Sequence, residues 1–350
     1  MTAYNQSRIK LFRRCQKAYA FRYDTRPGEE MQPRVSKRGL TLGTWMHSLL
    51  QAHHREWAGV DGLRWQDEQL LNEEVFERYF EEEKAELGDL PADTRRLFRA
   101  YLKHWGLDSE RYRVAQLHDG SPAIEFVVEF PLTKWSIEFP FKGRIDLIVE
   151  DLEYGGLWIW DHKWVKRIPG PDERMMSPQA LMYVWALRKL GYDIRGFVFN
   201  YGRTKPPTVP YVLKNGTVTT RKRLDTDYYT YLETIKKTHP DNWRTWVQRV
   251  YMPKLKELNH RQHTDWFMRE RIPVEPERIK RALVEFLVTI RDIERRNTKH
   301  PPRSYFYNCA FSCEFHDICC AEFQGLDIEP LIKRQFTFDK ERYGETTEST

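Results

Sequence analysis

An α/β fold with a mixed sheet flanked by helices is the class this sequence predicts, and three stretches predict it. Residues 123–132 (AIEFVVEFPL) read as a strand, and residues 141–164 (FKGRIDLIVEDLEYGGLWIWDHKW) as two strands joined by a turn. Residues 177–190 (SPQALMYVWALRKL) read as a helix started by Ser-Pro, and 195–201 as the compact apolar strand after it. The order strand, hairpin, helix, strand implies an α/β/α sandwich around a mixed sheet.

In the hairpin, β-branched and aromatic residues fill both flanks, and residues 153–156 supply the reversal. Side chains alternate along a strand, so Asp161 and Lys163 point one way and Trp160, His162 and Trp164 the other. On the first strand Arg144, Asp146 and Ile148 share a face, opposite Ile145, Leu147 and Val149. Both faces are largely apolar, which suits a sheet covered on both sides. An uncompensated carboxylate there costs on the order of several kcal/mol, so Asp146 and Asp161 need a partner. A divalent cation answers the need, and an oxygen-rich site with few protein ligands suits Mg²⁺ or Mn²⁺. Lys163 would hold or polarise the attacking water, or neutralise charge on a phosphate. A buried salt bridge between Lys163 and one of the aspartates is the alternative reading.

Gly143-Arg144-Ile145-Asp146, followed after the hairpin by Asp161-His162-Lys163, resembles the core of the PD-(D/E)XK nuclease superfamily, its RecB-like branch in particular. Two further motifs fit the resemblance. Gly43-x-x-x-His47-x-x-Leu50 resembles the element whose histidine is a metal ligand in that branch, and Gln179-x-x-x-Tyr183 resembles its QxxxY motif. The resemblance implies that His47, Asp146, Asp161 and the backbone carbonyl of His162 bind Mg²⁺ or Mn²⁺ with Lys163 beside them. Gln179 and Tyr183 would support these groups or contact DNA. The family sometimes adds a carboxylate from the preceding strand, where Glu125 and Glu129 share a face; solvated charge is the other reading of both.

Of five cysteines, Cys15 stands alone and Cys309, Cys313, Cys319 and Cys320 crowd near the end. One thiol upstream and three downstream resembles the iron–sulfur members of the superfamily, and implies a structural [4Fe–4S] cluster on Cys15, Cys309, Cys313 and Cys319. The first downstream spacing is three residues where two is common, and Cys320 competes with Cys319. Zinc, with His316 as a ligand, is the rival.

The 350 residues suffice for one large domain or two modest ones, and 40% of them are hydrophobic. The net charge of +6 is small, but the basic residues cluster, which is compatible with a polyanionic partner. No apolar run suits a signal peptide or a membrane span, so a soluble cytoplasmic protein is expected. Without a GxxxxGK[ST] loop the chain carries no P-loop ATPase engine. Helices are expected at 7–23, from 39 onward, at 68–87, 94–105, 227–237 and 275–296, with a loop at 26–37 and a hairpin at 209–223 turned at Asn215-Gly216. Arg203, Lys205, Arg221, Lys222 and Arg223 are candidates for a phosphate groove, and the tryptophan-rich basic segment 243–266 for base stacking or helix packing. The expected organisation is a helical region (1–120), a nuclease core (121–225), a second helical region with the cysteine cluster (226–325) and a polar tail (326–350), parts of one compact body in which the cluster joins the two helical regions. The function implied is a metal-dependent DNA nuclease, foremost an exonuclease on single strands or DNA ends, alone or with a helicase or recombination partner. A non-catalytic DNA-binding scaffold subunit and a structure-specific endonuclease are the alternatives.

Overall fold

The computed structural model describes residues 3–34, 38–59, 90–106, 108–134, 137–305 and 309–340. Its strands are β1 (Glu29–Pro33), β2 (Tyr112–Val114), β3 (Ile124–Lys134), β4 (Ile137–Asp151), β5 (Leu157–Val165), β6 (Ile194–Arg203), β7 (Phe267–Pro273) and β8 (Phe336–Lys340). A six-stranded sheet runs in the order β2-β4-β5-β6-β7, and β3 lies on the same edge of β4 as β2. Only the β5–β6 pair is parallel, so the sheet is mixed, as expected.

Local chemistry explains the reversal between β4 and β5. Asp151 Oδ1 accepts from the N–H groups of Glu153 and Tyr154, both at 3.0 Å, and Gly155 and Gly156 take φ of 73° and 81°, which other residues adopt only with strain. The parallel step from β5 to β6 needs a crossover, which the Pro178–Lys189 helix provides. Its Ala180, Met182, Val184, Ala186 and Leu187 are fully buried between the sheet and the Pro276–Glu294 helix. The opposite face of the sheet holds Leu147, Val149 and Trp160, while α3 (Arg38–Trp57) packs on the Leu90–His104 helix through Leu49, Leu50, Leu97 and Tyr101.

Five expectations need correction. The 7–23 helix is two, α1 (Gln6–Arg14) and α2 (Gln16–Tyr23), because Cys15 takes an extended conformation (φ −163°, ψ 116°) between them. The 26–37 loop contains β1, which pairs antiparallel with β8, so residues 326–340 are no polar tail. Met31 and Phe336 explain that pairing, since both are buried against Phe21 and Phe315. The 209–223 hairpin turns at Asn215-Gly216 as expected but is shorter: Leu213 N–H donates to the Thr217 carbonyl at 2.7 Å and Thr219 N–H to that of Tyr211 at 3.1 Å, around a single Val212–Val218 bridge, with Tyr211, Val212 and Leu213 exposed and no sheet beside them to extend the pairing. The region 226–325 is not all helical, because β7 is an edge strand of the main sheet. The 243–266 segment is largely helical, with one π turn (Val247–Tyr251), and Tyr251 and Trp266 are buried, so packing is the reading that holds for these two. The acidic helix expected at 68–87 lies outside the described residues.

Candidate metal site

The site forms where the sheet opens. The β4–β5 ladder ends at the Leu147–Trp160 pair, and the next position along would bring Asp146 opposite Asp161. On the other edge, the β3–β4 ladder pairs Ile124 with Leu147 and Phe126 with Ile145 but omits the Glu125–Asp146 pair between them. Glu125 has φ of +48°, the one non-glycine residue in the left-handed region among those described. The alternation of faces slips here. Phe126 and Ile145 pack with the crossover helix, whereas Ile124 and Leu147 pack on the far side. Ile145 therefore does not share a face with Leu147 and Val149 as simple alternation requires.

His47 reaches this opening from α3. Its Nδ1 lies 3.3 Å from Glu125 Oε1 and 3.6 Å from Asp146 Oδ2. The ligand atoms of His47, Glu125 and Asp146 all fall within 4.8 Å of one another. One imidazole and two carboxylates in that space fit the donor set of a divalent cation. Burial by itself would strip the proton from His47, but Asp146 and Glu125 outweigh it and raise its pKa to about 9. The proton thus occupies the place a cation would take. Glu129, by contrast, is exposed and paired with Lys142 at 3.2 Å, so of the two glutamates only Glu125 joins the site.

Asp161 stands one strand away and is not in that trio. Its Oδ2 pairs with Lys163 Nζ at 2.7 Å, and its Oδ1 accepts from Gln179 Nε2 at 3.0 Å. The salt bridge foreseen for Lys163 is present, next to the metal-binding geometry. Burial raises the Asp161 pKa to about 6, with Lys163 opposing and Asp146 adding. Burial also raises Asp146, against the pull of His47. Tyr183, one helical turn after Gln179, packs its ring against Gly143: a Cβ there would lie 2.7 Å from Tyr183 Cε1. Gly143→Ala should therefore lower stability by about 1–3 kcal/mol, read from the urea midpoint. An unchanged midpoint would show that the ring simply moves aside.

The His162 imidazole takes no part in the trio. Its backbone N–H donates to Asp146 Oδ2 at 2.7 Å, while its ring lies buried on the opposite face, stacked on His54 at 5.2 Å. Asn200 Nδ2 lies 2.9 Å from His162 Nδ1 and donates to Tyr101 Oη at 2.7 Å. Arg269 on β7 completes this network through Asp108 (2.7 Å) and Asn200 (3.2 Å), flanked by the rings of Trp105 and Trp160. Sequence reading missed these groups because β7 went unrecognised. Residues 267–272 (FMRERI) mix apolar and charged types on both faces, so alternation gives no strand signal there.

None of the five cysteines forms a disulfide. Cys15, Cys313 and Cys319 share one apolar cluster with Phe315 and Ile318, and Ser304 N–H points at Cys15 Sγ at 3.5 Å. Burial raises the pKa of Cys313 and of Cys319. Cys320 is exposed, 3.5 Å from His316 Nε2. Among the described residues no three cysteine sulfurs come within 4.8 Å of one another, so they are not gathered into a single-ion site.

A family model described as the PD-(D/E)XK nuclease superfamily matches residues 3–320. No curated protein matches the chain. Among solved structures, one described as "Crystal structure of SSO0001" is similar at a TM-score of 0.29 and 10% identity, over 80% of this chain and 84% of that one, a likeness too loose to bear on fold or function. No helix among the described residues is long and apolar enough to cross a membrane.

Proposed function

The chain belongs to the PD-(D/E)XK nuclease superfamily, a superfamily of metal-dependent nucleases, and from that premise we propose that it is an exonuclease acting on single-stranded DNA or on DNA ends. The observation that carries the reading is the meeting of His47, Glu125 and Asp146 beside the Asp161–Lys163 pair. His47, Asp146, Asp161 and the His162 carbonyl are the proposed metal ligands, with Glu125 added by its position. A bound Mg²⁺ or Mn²⁺ acidifies its water and offsets charge on the phosphodiester.

The chain's own groups do the rest. His162 N–H orients Asp146, and Gln179 Nε2 holds Asp161 in one rotamer. Lys163, partly exposed and anchored on Asp161, presents its ammonium where phosphate charge builds up. A scaffold that merely binds DNA has no use for a lysine held against a buried aspartate, which favours catalysis over that alternative.

Labelled linear single-stranded DNA with Mg²⁺ tests the reading. Lys163→Ala should slow cleavage by about 10²–10³-fold, and equal rates for the two proteins would support the scaffold. Circular single strands should resist, since an exonuclease needs an end; cleavage of the circle would instead mark an endonuclease.

The cysteines are proposed to hold a structural [4Fe–4S] cluster through Cys15, Cys309, Cys313 and Cys319. Support comes from the shared apolar cluster of Cys15, Cys313 and Cys319 and from the Ser304 N–H···S contact. The cluster would tie the α1–α2 break to the C-terminal helices. Protein purified without oxygen should contain iron and absorb visible light, and Cys15→Ser should lose both along with thermal stability, whereas Cys320→Ser should not. Zinc in place of iron would sink the cluster and leave the rival ion.

A further inference from the structure

A cavity of about 420 Å³ opens near Cys15, between the start of α2 and residues 299–305. Its wall is fixed in place. Lys17 N–H donates to the Pro302 carbonyl at 3.0 Å, Lys17 Nζ holds Glu322 at 2.6 Å, and Arg303 holds the same carboxylate. Tyr305 and Phe323, 72% and 68% exposed as residues, line the cavity with their ring centroids 6.1 Å apart, edge to face. Neither ring belongs to a core cluster among the described residues, and neither serves the metal site. Lys299 adds an exposed charge, so three basic side chains face one acid that two of them already hold.

We propose that this cavity binds single-stranded nucleic acid, seating a base against Tyr305 and Phe323 and the adjoining phosphates at Lys299, Lys17 and Arg303. The choice of a polynucleotide rests on the nuclease reading above; the cavity and its charge do not. Its volume lies in the range of small-ligand sites, about 300–1,000 Å³, which suits a nucleotide and not a duplex. Exposed rings stack on any base, and a single strand offers unpaired bases where a duplex does not. The surplus positive charge meets the backbone phosphates. The site would hold a strand without reading its sequence.

The test uses the full-length protein in EDTA, so that no strand is cut, with the anisotropy of a short fluorescent oligodeoxythymidylate as readout. The Tyr305→Ala, Phe323→Ala double variant should bind about tenfold or more weakly, and Lys299→Ala should lower the salt slope by about 0.7. Both rings are exposed, so the melting temperature should not change, and a paired Leu variant gives a second reading if it does. Hydrolysis of bis(p-nitrophenyl) phosphate, too small to span both sites, should be equal in wild type and double variant. Unchanged oligonucleotide affinity in both double variants would overturn the proposal, as would polyglutamate competing as well as the oligonucleotide. If the double variant loses binding but the wild type never hydrolyses the small diester, the nuclease reading fails and the strand-binding site stands.

Discussion

Asp161→Asn should reduce cleavage by about 10²–10³-fold or more, yet leave the metal-free protein at least as stable as the wild type at pH 8. Asp161 is 3% exposed, and burial sets its pKa at about 6 in spite of Lys163. A folded-state value above the unfolded one means that the folded protein binds this proton more tightly. The aspartate's contribution is therefore most favourable below about pH 4 and is lost as pH rises through about 6. The shift of about two units corresponds to roughly 3 kcal/mol. Asparagine removes the buried charge and keeps an Oδ1 that accepts from Gln179. Lys163 loses this carboxylate, but it is partly exposed and water can solvate it. Thermal melts in EDTA and cleavage assays on the same preparations check both halves. A variant melting several degrees lower would mean that the ionised carboxylate stabilises the metal-free fold. Added Mg²⁺ should raise the wild-type melting temperature more above pH 6 than below it, and the variant's less.

Metal affinity should rise about tenfold from pH 7 to 8 and level off toward pH 9, roughly fiftyfold in all. His47 holds a proton up to a pKa of about 9, because Asp146 and Glu125 overcome its burial. A cation must displace that proton from Nδ1, so each binding event releases close to one. The stability sign agrees with the affinity sign. The raised histidine contributes stability fully below about pH 6.5 and loses it as pH climbs through about 9, so the metal-free protein weakens over the range where the cation binds best. Calorimetric Mn²⁺ titrations in buffers of different ionisation enthalpy count the protons. His47→Asn should bind more weakly with a flatter pH profile. A wild-type affinity flat from pH 7 to 9 would place His47 outside the coordination shell.

Much of the site was legible because its chemistry is local. Asp161 and Lys163 two apart on a strand must share a face, and Gln179 and Tyr183 four apart on a helix must share a side. Lys163 and Gln179 both reach Asp161, while Tyr183 packs on Gly143. Glu125 was underrated because its role depends on a left-handed φ and on its place opposite Asp146, neither of which residue type reveals. Arg269 was invisible for a related reason: its meaning comes from Asp108, more than a hundred residues earlier, and from Asn200 on the neighbouring strand. The β1–β8 pair likewise joins segments some three hundred positions apart, each too short to show strand character unaided.

The order of residues alone determined the hairpin, the crossover helix and the acids and lysine they carry, since alternation, turn chemistry and helical spacing act over a few positions. Only the tertiary structure decided that the ladder opens at Leu147 and Trp160, and that His47 meets Glu125 and Asp146 while Asp161 turns to Lys163 and Gln179. Those choices follow from register and from the burial of charge, which exist only once distant strands have packed.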